Sequence, residues 1–185
     1  MDRRIWGVLA AGVAIAAICG WRVTVNKSQS YSEQLAAARI ERPAPGFEAL
    51  DAHNQMFRLQ RYLGRHRVLV VFFSAEESAA VDAGLAAVMQ AYPQLHDRDI
   101  QVVGVSTALP QENRAALAHW DKIPFPLVTD IDLSIHGRWG RLERETGEPL
   151  SGVFLIDRKG TVLCYGATPL PAEDVPALIR ELTEP

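Results

Sequence analysis

The 185-residue chain predicts an α/β fold, a central sheet flanked by helices. Three observations carry that expectation. The run from Val68 reads VLVVFF, β-branched and aromatic without alternation, as expected of a central strand buried on both faces. A sharp loop and a helix follow, with Val81, Leu85 and Val88 recurring at helical spacing. Further on, Ile100–Ser106 (IQVVGVS) reads as a second buried strand, and Val153–Tyr165 reads as a hairpin turning at Asp157 to Gly160.

Composition narrows the class. Hydrophobic residues make up 48% of the chain and charged residues 22%, enough for a real core under an ordinary surface. Net charge is −3, with no basic stripe, so a nucleic-acid partner has no support. Cys19 and Cys164 are the two cysteines, one in an apolar leader and one in the body, which excludes a disulfide framework. His53, His66, His96, His119 and His136 show no metal-ligand spacing, so no metal or other cofactor is expected. Each histidine reads as a surface or core-edge residue.

Taken in order, the chain opens with two arginines, Arg3 and Arg4, before the uncharged stretch Ile5–Trp21. That stretch is at the lower limit for a membrane-spanning helix; Trp6 and Trp21 bracket it, and the arginines favour a cytoplasmic amino end. Residues 1–21 are therefore expected to be a single-pass anchor in a bacterial inner membrane, with the body on the periplasmic side. A cleaved signal peptide and a lipoprotein with lipid on Cys19 are the alternatives. Residues 22–42 read as a tether, polar at first and then carrying a short helical patch, Leu35–Ile40. Residues 43–185 form the body. It begins with a hairpin around Phe47, Ala49, Met56 and Arg58, turned by Asp51 to Asn54, where asparagine tolerates a left-handed conformation.

In the loop after the central strand, Glu76 and Glu77 suit the amino end of the next helix, and Ser78 is a candidate N-cap. Pro110 opens another helix whose apolar face is Ala116, Leu117 and Trp120. The chain closes with an amphipathic helix over Pro171–Leu182, built on Val175, Leu178, Ile179 and Leu182.

The strand–loop–helix resembles the active-site segment of the thioredoxin superfamily, in particular its redoxin branch: AhpC/TSA-type peroxiredoxins and membrane-tethered thiol-disulfide oxidoreductases. In the tethered type, W-x-x-W-C-x-x-C follows two aromatics. Laid from Phe72-Phe73, its cysteines fall on Ser78 and Val81. In the peroxiredoxin pattern P-x-x-x-T-x-x-C, Ser74 stands at the proline, Ser78 at the threonine and Val81 at the peroxide-attacking cysteine. Other segments resemble redoxins in the same order. They are Pro43–Gly64, the VVGVS strand, Ile123–Asp130 (IPFPLVTD), the helix over Asp132–Gly140 with Trp139 in an aromatic slot, and the hairpin after Val153. The resemblance implies a thioredoxin-like mixed sheet flanked by helices. Three residues before Phe154, where thioredoxins place a cis-proline and peroxiredoxins an arginine, this chain has Ser151; Pro149 falls two residues too early.

The frame is thus present and the sulfur absent. Thiol exchange and peroxide reduction both need a thiolate, and nothing at Ser74, Ser78, Val81 or Ser151 supplies one. Three readings result. The first is a non-catalytic domain serving as a binding, accessory or assembly subunit of a membrane protein complex. The second is a thiol oxidoreductase or peroxidase working through Cys164, against which stands its expected burial on the face it shares with Val162. The third is a binder of a peptide or small molecule in the old cleft, walled by Phe73, Ser78 and Trp120.

Overall fold

The computed structural model describes residues 42–73, 82–118 and 123–167. In chain order the elements are β1 (Arg42–Pro43), β2 (Glu48–Leu50), β3 (Met56–Arg58), a 3-10 turn (Leu59–Arg61), β4 (Arg67–Phe72), α1 (Ala83–Asp97), β5 (Ile100–Ser106), α2 (Pro110–Leu117), β6 (Leu127–Thr129), α3 (Ser134–Trp139), β7 (Gly152–Ile156) and β8 (Thr161–Ala167). Six strands make one mixed sheet in the order β1-β8-β7-β4-β5-β6, and β2 and β3 form a separate two-stranded sheet. The strands β4, β5 and β6 are parallel, while β7 runs antiparallel to both β4 and β8.

The unbroken apolar run of β4 is explained by its place. It lies between β5 and β7, and all of Val68 to Phe72 is buried. Its alternate side chains serve two cores. Val68, Val70 and Phe72 join Val103, Val105, Phe154 and Ile156 in a cluster that also takes Phe47 and Phe57 from the hairpin and Ile135 and Trp139 from α3. Four of those aromatic rings interlock, with Trp139 and Phe154 at 4.9 Å and 71° and Phe72 and Phe154 at 5.7 Å and 77°. On the other side α1 packs against β5 and contributes the buried side chains Leu85, Val88 and Leu95.

The expected hairpin over Phe47–Arg58 forms, in the register Glu48↔Arg58, Ala49↔Phe57 and Leu50↔Met56. Asn54 turns it at φ 59°, the left-handed conformation that asparagine tolerates. The second hairpin also forms, closed by Asp157, whose Oδ1 accepts from the N–H groups of Lys159 and Thr161.

Several expectations need adjustment. Arg42, read as the end of the tether, is already in the sheet and pairs with Val162. The N-cap of α1 is Asp82, whose carboxylate accepts from Leu85 N at 2.7 Å, so the helix starts after the cap expected at Ser78. Among the described residues no helix is long and apolar enough to cross a membrane. The leader, the tether before Arg42 and the helix expected over Pro171–Leu182 lie outside the described residues.

Candidate functional site

In an open α/β sheet, ligands gather beyond the carboxyl ends of the parallel strands. Here that edge is formed by Phe72 and Phe73, Ser106, and Thr129 with Asp130. Phe72 is paired with Val105 on one side and Gly152 on the other. The next residue, Phe73, donates its N–H to Val105 O at 3.1 Å. Ser74, Ser78 and Val81 fall between Phe73 and Asp82, outside the described residues. Ser151 directly precedes Gly152 and is half-buried. The register Phe72↔Gly152 thus places Ser151 beside Phe73 at the carboxyl end of β4.

One expectation fails on geometry. Phe73 is no cleft wall: it is buried, and its ring packs over Gly104, where a Cβ would sit 3.1 Å from Phe73 Cε1. A bulge in β8 pairs Cys164 with Leu155 and Val162 with Ile156, which are consecutive residues of β7. The period-two alternation that placed the two on one face does not pass through a bulge. The side chain of Cys164, like residues 119–122 with Trp120, lies outside the described residues.

The sequence reading missed the buried polar network behind this edge. His136, expected at the surface or core edge, is fully buried, and its Nδ1 lies in a hydrogen bond 2.7 Å from Asp130 Oδ2. The two oxygens of Asp130 also accept from the backbone N–H groups of Ile135 at 3.0 Å and His136 at 2.8 Å. Burial by itself would push the Asp130 carboxyl up. The His136 hydrogen bond, the two N–H donors and the His136 charge outweigh it and hold the carboxyl down, to about 2. The His136 ring meets Phe72 edge-on, 4.9 Å between centroids, so the pair sits directly behind the end of β4. Ser106, Asn113 and Thr129 continue the network across β5, α2 and β6. A signal existed in the sequence: positions 135, 136 and 139 share one helical face, which places His136 with Ile135 and Trp139.

Chemically, this network holds a helix start against two strand ends, and its carboxylate is saturated. Arg141 is also buried; its Nε donates to Leu150 O at 3.4 Å, one residue before Ser151. Among the described residues no three His, Cys, Asp or Glu side chains converge as metal ligands.

With the geometry in place, comparisons define the class and then the family. The fold is that of solved peroxiredoxins. A peroxidoxin, BcpB, from Mycobacterium tuberculosis superposes with a TM-score of 0.68 at 17% identity, over 79% of this chain and 99% of that one. The reduced 2-Cys peroxiredoxin of Plasmodium vivax gives 0.62 at 22% identity, over 78% and 96%. The sequence profile of the AhpC/TSA family matches residues 40–164, and the chain belongs to that family. Among curated relatives, the mitochondrial thioredoxin-dependent peroxide reductase of Drosophila melanogaster is 27% identical over 150 residues, 74% of this chain and 62% of its own length. The chain spans less than two thirds of that relative.

Proposed function

We propose that this AhpC/TSA-family chain is a membrane-anchored, periplasm-facing redoxin domain that binds rather than turns over, as an accessory or assembly subunit of an inner-membrane protein complex. One observation carries the reading: the edge that positions redoxin chemistry is built, yet its loop and its β7 shoulder offer Ser74, Ser78, Val81 and Ser151, none of them a thiol. Serine's hydroxyl is too weakly acidic to replace a thiolate, and valine has no nucleophile. Anchoring rests on the uncharged Ile5–Trp21 stretch behind Arg3 and Arg4.

The second reading, a peroxidase or thiol oxidoreductase using Cys164, is favoured by the relatives, whose names are those of peroxide reductases and peroxiredoxins. The backbone stands against it. Cys164 pairs with Leu155, three residues short of the Gly152–Ala167 pair at the site edge, and β7 separates its strand from β4. At about 3.3 Å per residue and 4.8 Å per strand, its Cα is roughly 14 Å from the end of β4.

The deciding measurement is hydrogen peroxide consumption and insulin disulfide reduction by the full-length chain in mild detergent, with thioredoxin or dithiothreitol supplied. The expected rate equals that of the protein-free control, in the wild type and in Cys164→Ser alike. Turnover by the wild type that Cys164→Ser abolishes overturns the binding reading in favour of the second.

A further inference from the structure

At the other end of the parallel strands lies a feature unrelated to the redoxin edge. The hairpin strand β3 has a neighbour on one side only. Its hydrogen-bond phase follows from two bonds that bracket it: Asp51 N donates to Gln55 O at 2.9 Å, and Leu59 N donates to Phe47 O at 3.1 Å. Pairs 47/59 and 51/55 are thus the bonded ones. In an antiparallel ladder bonded pairs alternate with unbonded ones, which makes Ala49↔Phe57 bonded and leaves Glu48↔Arg58 and Leu50↔Met56 unbonded. The backbone N–H and C=O of Met56 and Arg58 therefore point away from β2, along the free edge. The C=O of Arg58, the residue that opens the 3-10 turn, accepts that turn's first bond, so among the described residues the groups left open on this edge are the N–H and C=O of Met56 and the N–H of Arg58.

That edge borders a groove of about 460 Å³ whose opposite wall is Ile123 to Pro126. The volume falls within the ~300–1,000 Å³ typical of ligand sites. The wall does not serve as the missing strand, because Pro124 and Pro126 carry no N–H. Apolar side chains stand among polar ones in its lining, with Phe57 stacked on Tyr62 at 5.3 Å and Met56 49% exposed. Its charge is positive in a chain whose net charge is negative. Arg61 lines the groove with no ion-pair partner among the described residues, and Arg58 lies beside it, paired with Glu48 at 3.0 Å. The one acid lining it, Asp51, is engaged by its own turn, accepting from the N–H groups of His53 and Gln55.

An unpaired strand edge beside an exposed Met56 and the Arg61 cation is an arrangement suited to strand addition, where main-chain bonds give affinity and flanking side chains give specificity. We propose that the free edge of β3 docks an extended segment of a partner protein in which acidic and apolar residues alternate. The segment adds a third strand to the hairpin, bonds the N–H and C=O of Met56 and the N–H of Arg58, and lays a carboxylate against Arg61. This surface goes beyond the binding reading above, and it stands whether or not the redoxin edge turns over peroxide.

The test uses the full-length chain in non-ionic detergent and a short fluorescein-labelled peptide of alternating valine and glutamate, followed by anisotropy. The acidic peptide is expected to bind, and the same peptide with lysine for glutamate is not. N-methylation of alternate peptide residues should abolish binding in one register and spare it in the other, a readout that needs no protein variant. Arg61→Glu should weaken binding about tenfold, through the charge pair it reverses. By hydrogen exchange, the amides of Met56 and Arg58 should slow on binding while that of Phe57, already bonded, stays unchanged. Equal binding of acidic and basic peptides overturns the proposal, as do equal binding of both N-methylated registers and unchanged exchange at Met56 and Arg58. A dimer that protects those amides without peptide also overturns it, since the occupant would then be a second copy of this chain.

Discussion

The most constrained side chain among those described is Asp130. Every hydrogen bond it accepts comes from the start of α3: the ring of His136, the hydroxyl of Ser134 and two backbone N–H groups. Asparagine at this position would turn an NH2 toward one of these buried donors and leave it without an acceptor, a loss of about 1–3 kcal/mol. Asp130→Asn should therefore lower stability by about that amount in urea denaturation at neutral pH. The acid limb gives a second check. The folded carboxyl is held at about 2, below its ordinary value of 3.8. A depressed folded pKa contributes stability that is complete above the unfolded value and lost as pH falls through the folded one. The wild-type denaturation midpoint should fall between pH ~4 and ~2, and Asp130→Asn should remove this pair's share of the fall. If the two slopes coincide, the pair does not carry the acid sensitivity.

At the scale of elements, two close fits determine how the site edge is held. At Gly104 of β5, an added Cβ would lie 2.6 Å from Leu127 Cδ2 and 3.1 Å from Phe73 Cε1. The absence of a side chain there lets Phe73 fold over β5 just before the 74–81 loop departs. Leu127 and Phe73 are both buried, so neither has free space to move into. Gly104→Ala should cost about 1–3 kcal/mol by overpacking, read as a lowered denaturation midpoint; an unchanged midpoint would show that the neighbours yield. The bulge in β8, between the Leu155–Cys164 and Ile156–Val162 pairs, is the second fit, and strand alternation does not carry across it. Alternation reads faces correctly in β4 and in the hairpin, where Phe57 is buried between exposed Met56 and Arg58, because those ladders are regular. An inserted residue leaves the sequence pattern intact while shifting the register.

At the scale of the whole molecule, the AhpC/TSA frame is complete through the described sheet, and the open questions concern where the chain resides and what it holds. The anchor proposal predicts that the native protein keeps its amino-terminal residues and resists alkaline carbonate extraction. An intact mass short of the first ~20 residues would instead mark a cleaved leader. The sequence by itself determined the α/β class, the family frame and the two hairpins, because each is written in local periodicity, turn chemistry or residue identity. Only the tertiary structure decided that His136 is buried with Asp130, that Phe73 packs inward over Gly104, that Asp82 caps α1 and that β3 has a free edge. Those depend on which strands become neighbours and in what register, and pairing between distant segments leaves no mark in the spacing of residues along one of them.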